Sequence, residues 1–199
     1  LWRSLKDNYH MRKIYLFLGL VTFLLSNAVK AQLPTKCFEI QSILVDACGT
    51  PEGTNEMVRF VVGSTPINAY SLDVTWATVG APGLIWRGIC ANPDTTAALN
   101  ATITKCGLLL EPPGGIIPAG ATVVFATNVA INTVANSFAD LTDTVYIIYQ
   151  CSGNPVATGH FANSGTGVRS FSMRYPPLGC GDTVAYDRSL LQGGDGAFV

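Results

Sequence analysis

The chain has 199 residues, is 48% hydrophobic and 13% charged, and carries 12 Lys+Arg against 13 Asp+Glu. That balance excludes a disordered polyelectrolyte and a strongly basic nucleic-acid binder. With 20 Gly, 11 Pro and 6 Cys, and without heptads or long charged helices, the composition points to one turn-rich, all-β globular domain.

Residues 1–10 contain no Met and read as upstream translated sequence. Residues 11–31 follow the order of a secretory signal peptide: Met11-Arg12-Lys13, an apolar run from Ile14 to Leu25, then the small residues Val29 and Ala31 ahead of an expected cut before Gln32. The run is shorter than the roughly 20 apolar residues a membrane-spanning helix needs, and no later stretch is apolar enough to be one. The expected mature domain, residues 32–199, loses Arg3, Lys6, Arg12, Lys13, Lys30 and Asp7. It keeps 7 basic and 12 acidic residues, a net charge of about −5 with His neutral. This charge disfavours nucleic acid and anionic membranes as partners.

Phe38–Asp46 and Met57–Val62 are β-rich runs separated by a Gly/Pro/acidic connection, residues 47–56. Asp46, Glu52 and Glu56, with Asn55 beside them, offer the hard oxygen donors Ca²⁺ takes, and Gly49 and Gly53 would let backbone carbonyls turn inward. Asp46, Glu52 and Glu56 are therefore a candidate calcium-ligand set. EF-hand spacing is missing, and a solvated acidic turn is the competing reading. Ser71–Trp76 alternates, so Leu72, Val74 and Trp76 face a core. Gly80-Ala81-Pro82-Gly83 breaks the chain before Trp86, the aromatic expected to be exposed and able to serve as a ligand platform for sugars.

The one helix expected is Asp94–Lys105, with Asp94 as its cap, Pro93 before the cap, and Leu99 and Ile103 on one face. Short strands follow at Leu108–Leu110, Ala121–Thr127, Asp143–Gln150, Val168–Met173 and Asp182–Tyr186, a spacing that predicts a β-sandwich with inserts. Residues 192–199 read as a turn and the opening of another strand, as in a piece of a larger protein.

All six cysteines, Cys37, Cys48, Cys90, Cys106, Cys151 and Cys180, lie in the exported part. An even number in an oxidising compartment favours disulfides over metal. If residues 38–46 are one extended strand, Cys37 and Cys48 stand about 35 Å apart, so each needs a distant partner. Cys90 and Cys106 flank the helical insert and are the expected pair, while the pairing of the other four stays open.

The succession Cys37-Phe38-Glu39-Ile40, Ser42 to Cys48, Pro51 to Met57 and Arg59-Phe60 resembles the N-terminal module of large secreted Bacteroidetes proteins. Such proteins end in a gliding-motility-associated or type IX secretion C-terminal domain. Arg87 to Cys90, Ile117-Pro118-Ala119-Gly120, Ala135 to Phe138, Gly159-His160-Phe161 and Asp182-Thr183-Val184 extend the likeness over nearly all of residues 37–191. The module is in turn similar to the lamin-tail domain, an immunoglobulin-like sandwich. The six Cys and the helical insert do not belong to the lamin pattern. The resemblance implies a non-catalytic surface or adhesion module, and it names no ligand.

A hydrolase would need a nucleophile, a base and an orienting acid. Residues 32–199 hold His160 alone as an imidazole, without a Gly-x-Ser-x-Gly elbow, and a strand-end histidine hydrogen-bonded in a loop is the plainer account of it. The sequence therefore predicts a disulfide-stapled all-β sandwich with one short helical insert, secreted or on the outer cell surface. Its expected partner is a cell-surface or extracellular protein or polysaccharide, with no cofactor beyond candidate calcium. A carbohydrate-binding module is the alternative, and a secreted hydrolase the third reading.

Overall fold

The computed structural model describes residues 36–76, 85–151, 159–191 and 196–199. The expected signal peptide and its cut, residues 1–10 and the Gly80–Gly83 turn lie outside the described residues. The elements in chain order are β1 (Phe38–Asp46), β2 (Met57–Val62), β3 (Ile67–Asn68), β4 (Asp73–Thr75), β5 (Ile89–Cys90), the helix α1 (Pro93–Asn100), β6 (Leu108–Leu110), β7 (Ile116–Ile117), β8 (Thr122–Ala126), β9 (Thr144–Gln150), β10 (Val168–Tyr175), β11 (Cys180–Asp187) and β12 (Ala197–Phe198).

These strands form an all-β sandwich. One layer is a seven-stranded sheet ordered β12-β1-β2-β8-β9-β5, with β6 also on β9, and the other is the three-stranded sheet β11-β10-β4. The pair β3-β7 stands apart. The inner faces are predicted by alternation: Val58, Phe60 and Val62 of β2 and Val123 and Phe125 of β8 meet Val74, Trp76, Phe171, Met173 and Tyr186 from the opposite layer. In β1 the buried residues change phase, from Phe38 and Ile40 to Ile43 and Val45. The pairing with β2 slips between Ile40 and Ser42, so Gln41 is an extra residue, and this bulge returns the second half of the strand to the core.

β9 is buried on both faces because it has a second apolar layer outside it. Leu99 of α1, Leu109 of β6 and Ile131 close over Val145, Ile147 and Tyr149, which explains why residues 144–150 read as a nearly continuous apolar run. β8 and β9 are parallel neighbours, so residues 127–143 must cross the outer face of the sheet to join them.

The helix is shorter than the sequence predicts and is not capped by Asp94. Pro93 occupies its first turn, and the N-terminal residue Asn92 makes no side-chain cap. Glu111 takes over, accepting from Asn92 N at 2.9 Å and Thr96 Oγ1 at 2.7 Å. The helix stops where Asn100 turns its amide to β6, donating to Leu109 O at 2.9 Å and accepting from Leu109 N at 2.8 Å. Ile103 therefore packs on the second cluster from outside the helix.

The disulfide expectation is corrected. Cys90 bonds to Cys151, not to Cys106, and Cys37 bonds to Cys180. Cys48 and Cys106 are free and exposed. The reason is strand register: β5 pairs with the C-terminal end of β9, Cys90 opposite Tyr149, which puts Cys151 next to Cys90. Cys106 lies at the other end of that strand, its Sγ donating to Thr142 O at 3.2 Å, about 20 Å away at the rise of a strand. The distant partner expected for Cys37 is found 143 residues on, where Asp182 reinforces the junction by accepting from Ile40 N at 2.9 Å and from Lys36 Nζ at 3.0 Å. Burial alone would raise the Asp182 pKa, but those donors hold it below the usual carboxylate range.

Candidate functional site

The connection after β1 does not splay into solvent. It turns inward, so that Gly53, Thr54, Asn55 and Glu56 are all buried. Asn55 uses every polar position it has: Nδ2 donates to Cys48 O and Pro51 O at 3.1 and 3.2 Å, and Oδ1 accepts from Asn132 N and Asn136 Nδ2 at 2.8 and 3.0 Å. This ties the loop to the crossover between β8 and β9 and explains the burial of Asn136.

Glu56 is 0% exposed and sits at the start of β2, aimed at the loop that leads into β10. Its two oxygens accept the backbone N–H groups of His160 and Phe161, at 2.5 and 3.1 Å. His160, 1% exposed, brings its Nδ1 to 3.3 Å from the same carboxyl. Its Nε2 lies 3.0 Å from Gln150 Nε2, which also donates to Thr127 O at 3.0 Å. An amide nitrogen can only donate, so Nε2 is the acceptor and Nδ1 carries the ring proton. Trp76 covers the imidazole at a centroid distance of 4.4 Å, and it also stacks on Phe125 at 5.9 Å.

Burial disfavours charge on both members of this pair. Desolvation, with the nearby Asp46 adding to it, lifts Glu56 well above the usual carboxylate range against the pull of the two N–H donors. Desolvation likewise drops His160 to about 4, against a hydrogen bond with the Gly53 backbone. Gly159 belongs to the same construction. A Cβ at that position would run into the Glu56 carboxyl, so the turn before His160 accommodates only glycine.

The candidate calcium ligands Asp46 and Glu52 come together, but Glu56 does not join them. Asp46 Oδ1 and Glu52 Oε1 both accept from the single amide of Asn163, at 3.2 and 2.6 Å, while Glu56 points into the core. Among the described residues no three His, Cys, Asp or Glu groups are placed to hold a metal ion. Glu56 starts a strand whose inner face is apolar, and the backbone N–H groups of His160 and Phe161 meet its oxygens. Trp86 is also corrected. It is half-buried, donates Nε1 to Leu72 O at 3.0 Å and sets its edge on Phe125 at 5.8 Å, so it is a flank of the core and not an open platform.

Sequence reasoning therefore found the buried Trp76 and missed the Glu56–His160 contact, which joins residues 104 positions apart. The available signal was Gly159, a residue without a side chain directly before the one histidine of residues 32–199. Comparison of the chain with protein-family models, curated proteins and solved structures finds no match.

Proposed function

We propose that this chain is a non-catalytic module, secreted or held at the outer cell surface, which binds or scaffolds a cell-surface or extracellular protein or polysaccharide. The observation that carries this reading is how its acid–base groups are used. The Glu56 carboxyl and His160 imidazole are enclosed at 0% and 1% exposure and occupied with holding strand ends together, whereas a general base must reach a substrate proton. The two disulfides and the signal-peptide pattern support an oxidising destination. Among the described residues no helix is long and apolar enough to cross a membrane.

A lamin-tail-like, immunoglobulin-like identity within the Bacteroidetes gliding-motility and type IX secretion context is part of the same proposal. Two of its motifs have structural roles: Gly120, at φ +74°, closes the turn after Ile117-Pro118-Ala119 that feeds β8, and Asp182 staples the two layers. The test is a panel of esters, glycosides and peptides offered to the purified chain, alongside adherence of the labelled chain to cells and to polysaccharide. Adherence without turnover is expected. Turnover above a heat-denatured control would defeat the reading.

A further inference from the structure

The outer face of the smaller sheet carries an ordered polar array that the core does not use. The pairings of β10 with its neighbours align Asp73, Arg174 and Gly181 in one row across three strands, and Thr75, Ser172 and Thr183 in the next. Both rows face away from the core, because the alternate residues Val74 and Met173 are buried. Asp73, Thr75, Arg174 and Thr183 are exposed.

The first row is unusual in what its charges leave undone. Asp73 and Arg174 are direct cross-strand partners of opposite sign, an arrangement that ordinarily pairs. Neither makes an ion pair or a side-chain hydrogen bond among the described residues. Gly181 supplies the reason. A Cβ built there would lie 2.6 Å from Met173 O and 3.3 Å from Arg174 Cγ, so the arginine stem leans over the position where β11 has no side chain, away from Asp73. The result is a recess of about 360 Å³, walled by Pro176, Gly179 and Cys180, with Ser172 and Thr183 in its floor. That volume lies within the range of small-molecule sites, roughly 300–1,000 Å³.

We propose that this recess binds a neutral saccharide. Its lining presents the Asp73 carboxylate, which only accepts, the Arg174 guanidinium, which only donates, and two hydroxyls that do both, together with Asp182, whose carboxylate is already engaged by Lys36 Nζ and Ile40 N; Thr183 Oγ1 donates to Ser172 Oγ at 3.0 Å. Vicinal hydroxyls of a sugar, each donor and acceptor at once, satisfy such a set without net charge. A phosphate would meet Asp73 and an organic cation would meet Arg174, so either is opposed by half of the array. The opposite side of β11 is held by Asp182 and by Cys37–Cys180, so the strand bearing Gly181 and Thr183 is fixed in place before any ligand arrives.

This inference rests on the binding-module reading but is separable from it. The full chain is titrated with a panel of uncharged oligosaccharides and, separately, with inorganic phosphate, using NMR shift changes and calorimetry; Asp73→Asn, Arg174→Met and, as a control on the other aromatic, Trp86→Phe are compared after their melting temperatures are checked. Expected is binding of at least one saccharide, weakened about tenfold or more by Asp73→Asn and by Arg174→Met, as for loss of one charged hydrogen bond, and unchanged by Trp86→Phe. Failure to bind any saccharide, binding indifferent to both substitutions, or binding of phosphate alone would overturn the assignment. Adherence of the wild-type chain to cells, with no saccharide of the panel bound by it, would refute the recess while leaving the module reading intact.

Discussion

Glu56 has a carboxyl group of which no part is exposed, and the two backbone N–H groups that meet it make its chemistry specific. Glutamine has the same shape but presents an NH₂ group to one of those donors, leaving two donors facing each other in the interior. Glu56→Gln is expected to lower stability by about 2 kcal/mol, the usual cost of an unsatisfied buried polar group, read as a shift of the urea midpoint at constant slope. A midpoint equal to that of wild type would mean that these donors do not depend on the carboxyl. The sequence puts Glu56 in an acidic loop and cannot show which way it points, because the residues that turn it inward, Gly159, His160 and Phe161, are about a hundred positions away. Asp46 and Glu52, from the same loop, do stay near the surface, and one asparagine amide bridges them.

At the scale of elements, the strands with clear alternation are legible: β1 and β2 fall on the residues that alternation and β-branching predict. Three of the four two-residue strands, β3, β5 and β7, are invisible to such patterns, since no period can be read from two residues. One of these, β5, decides the disulfide, because its register on β9 selects Cys151 over Cys106. The bridge closes a span of 61 residues, so its removal is expected to cost about 4 kcal/mol on the chain-entropy account. Cys90→Ser and Cys151→Ser should each lower the melting temperature, by similar amounts and without additivity, whereas Cys106→Ser should leave it within error. Peptide mapping that recovers a Cys90–Cys106 fragment would contradict the register of β5. The helix boundary fails for a related reason: Asp94 has the composition of a cap, but Glu111 is placed by tertiary packing to do that work.

For the whole molecule the buried pair makes stability depend on pH. His160 is held at about 4 in the folded state, against about 6.5 when unfolded, and Glu56 is held well above its unfolded value of about 4.5. Between about 4.5 and 6.5 the unfolded chain carries a charged His and a charged Glu while the folded chain carries both neutral, so the two states bind equal numbers of protons and the pair contributes no slope. Above about 6.5, where the unfolded His160 has lost its proton, stability falls as pH rises for as long as the folded state keeps the Glu56 proton, by up to about 1.4 kcal/mol per unit. Below about 4.5 only the unfolded state carries the His160 proton, and stability falls as pH drops toward 4. Thermal melts across pH should therefore show a plateau in the mildly acidic range. A maximum at pH 8 or above would show that Glu56 is ionised in the fold.

The local pattern of apolar and turn residues is enough to establish the all-β class, the two long N-terminal strands and the core role of Trp76, because alternation records which face of a strand is buried. Which cysteines meet, where Glu56 points, how far Trp86 is covered and why Arg174 stands clear of Asp73 are decided only when strands distant in the chain take their register. Each of those outcomes depends on a neighbour supplied by another strand, and no local pattern encodes it.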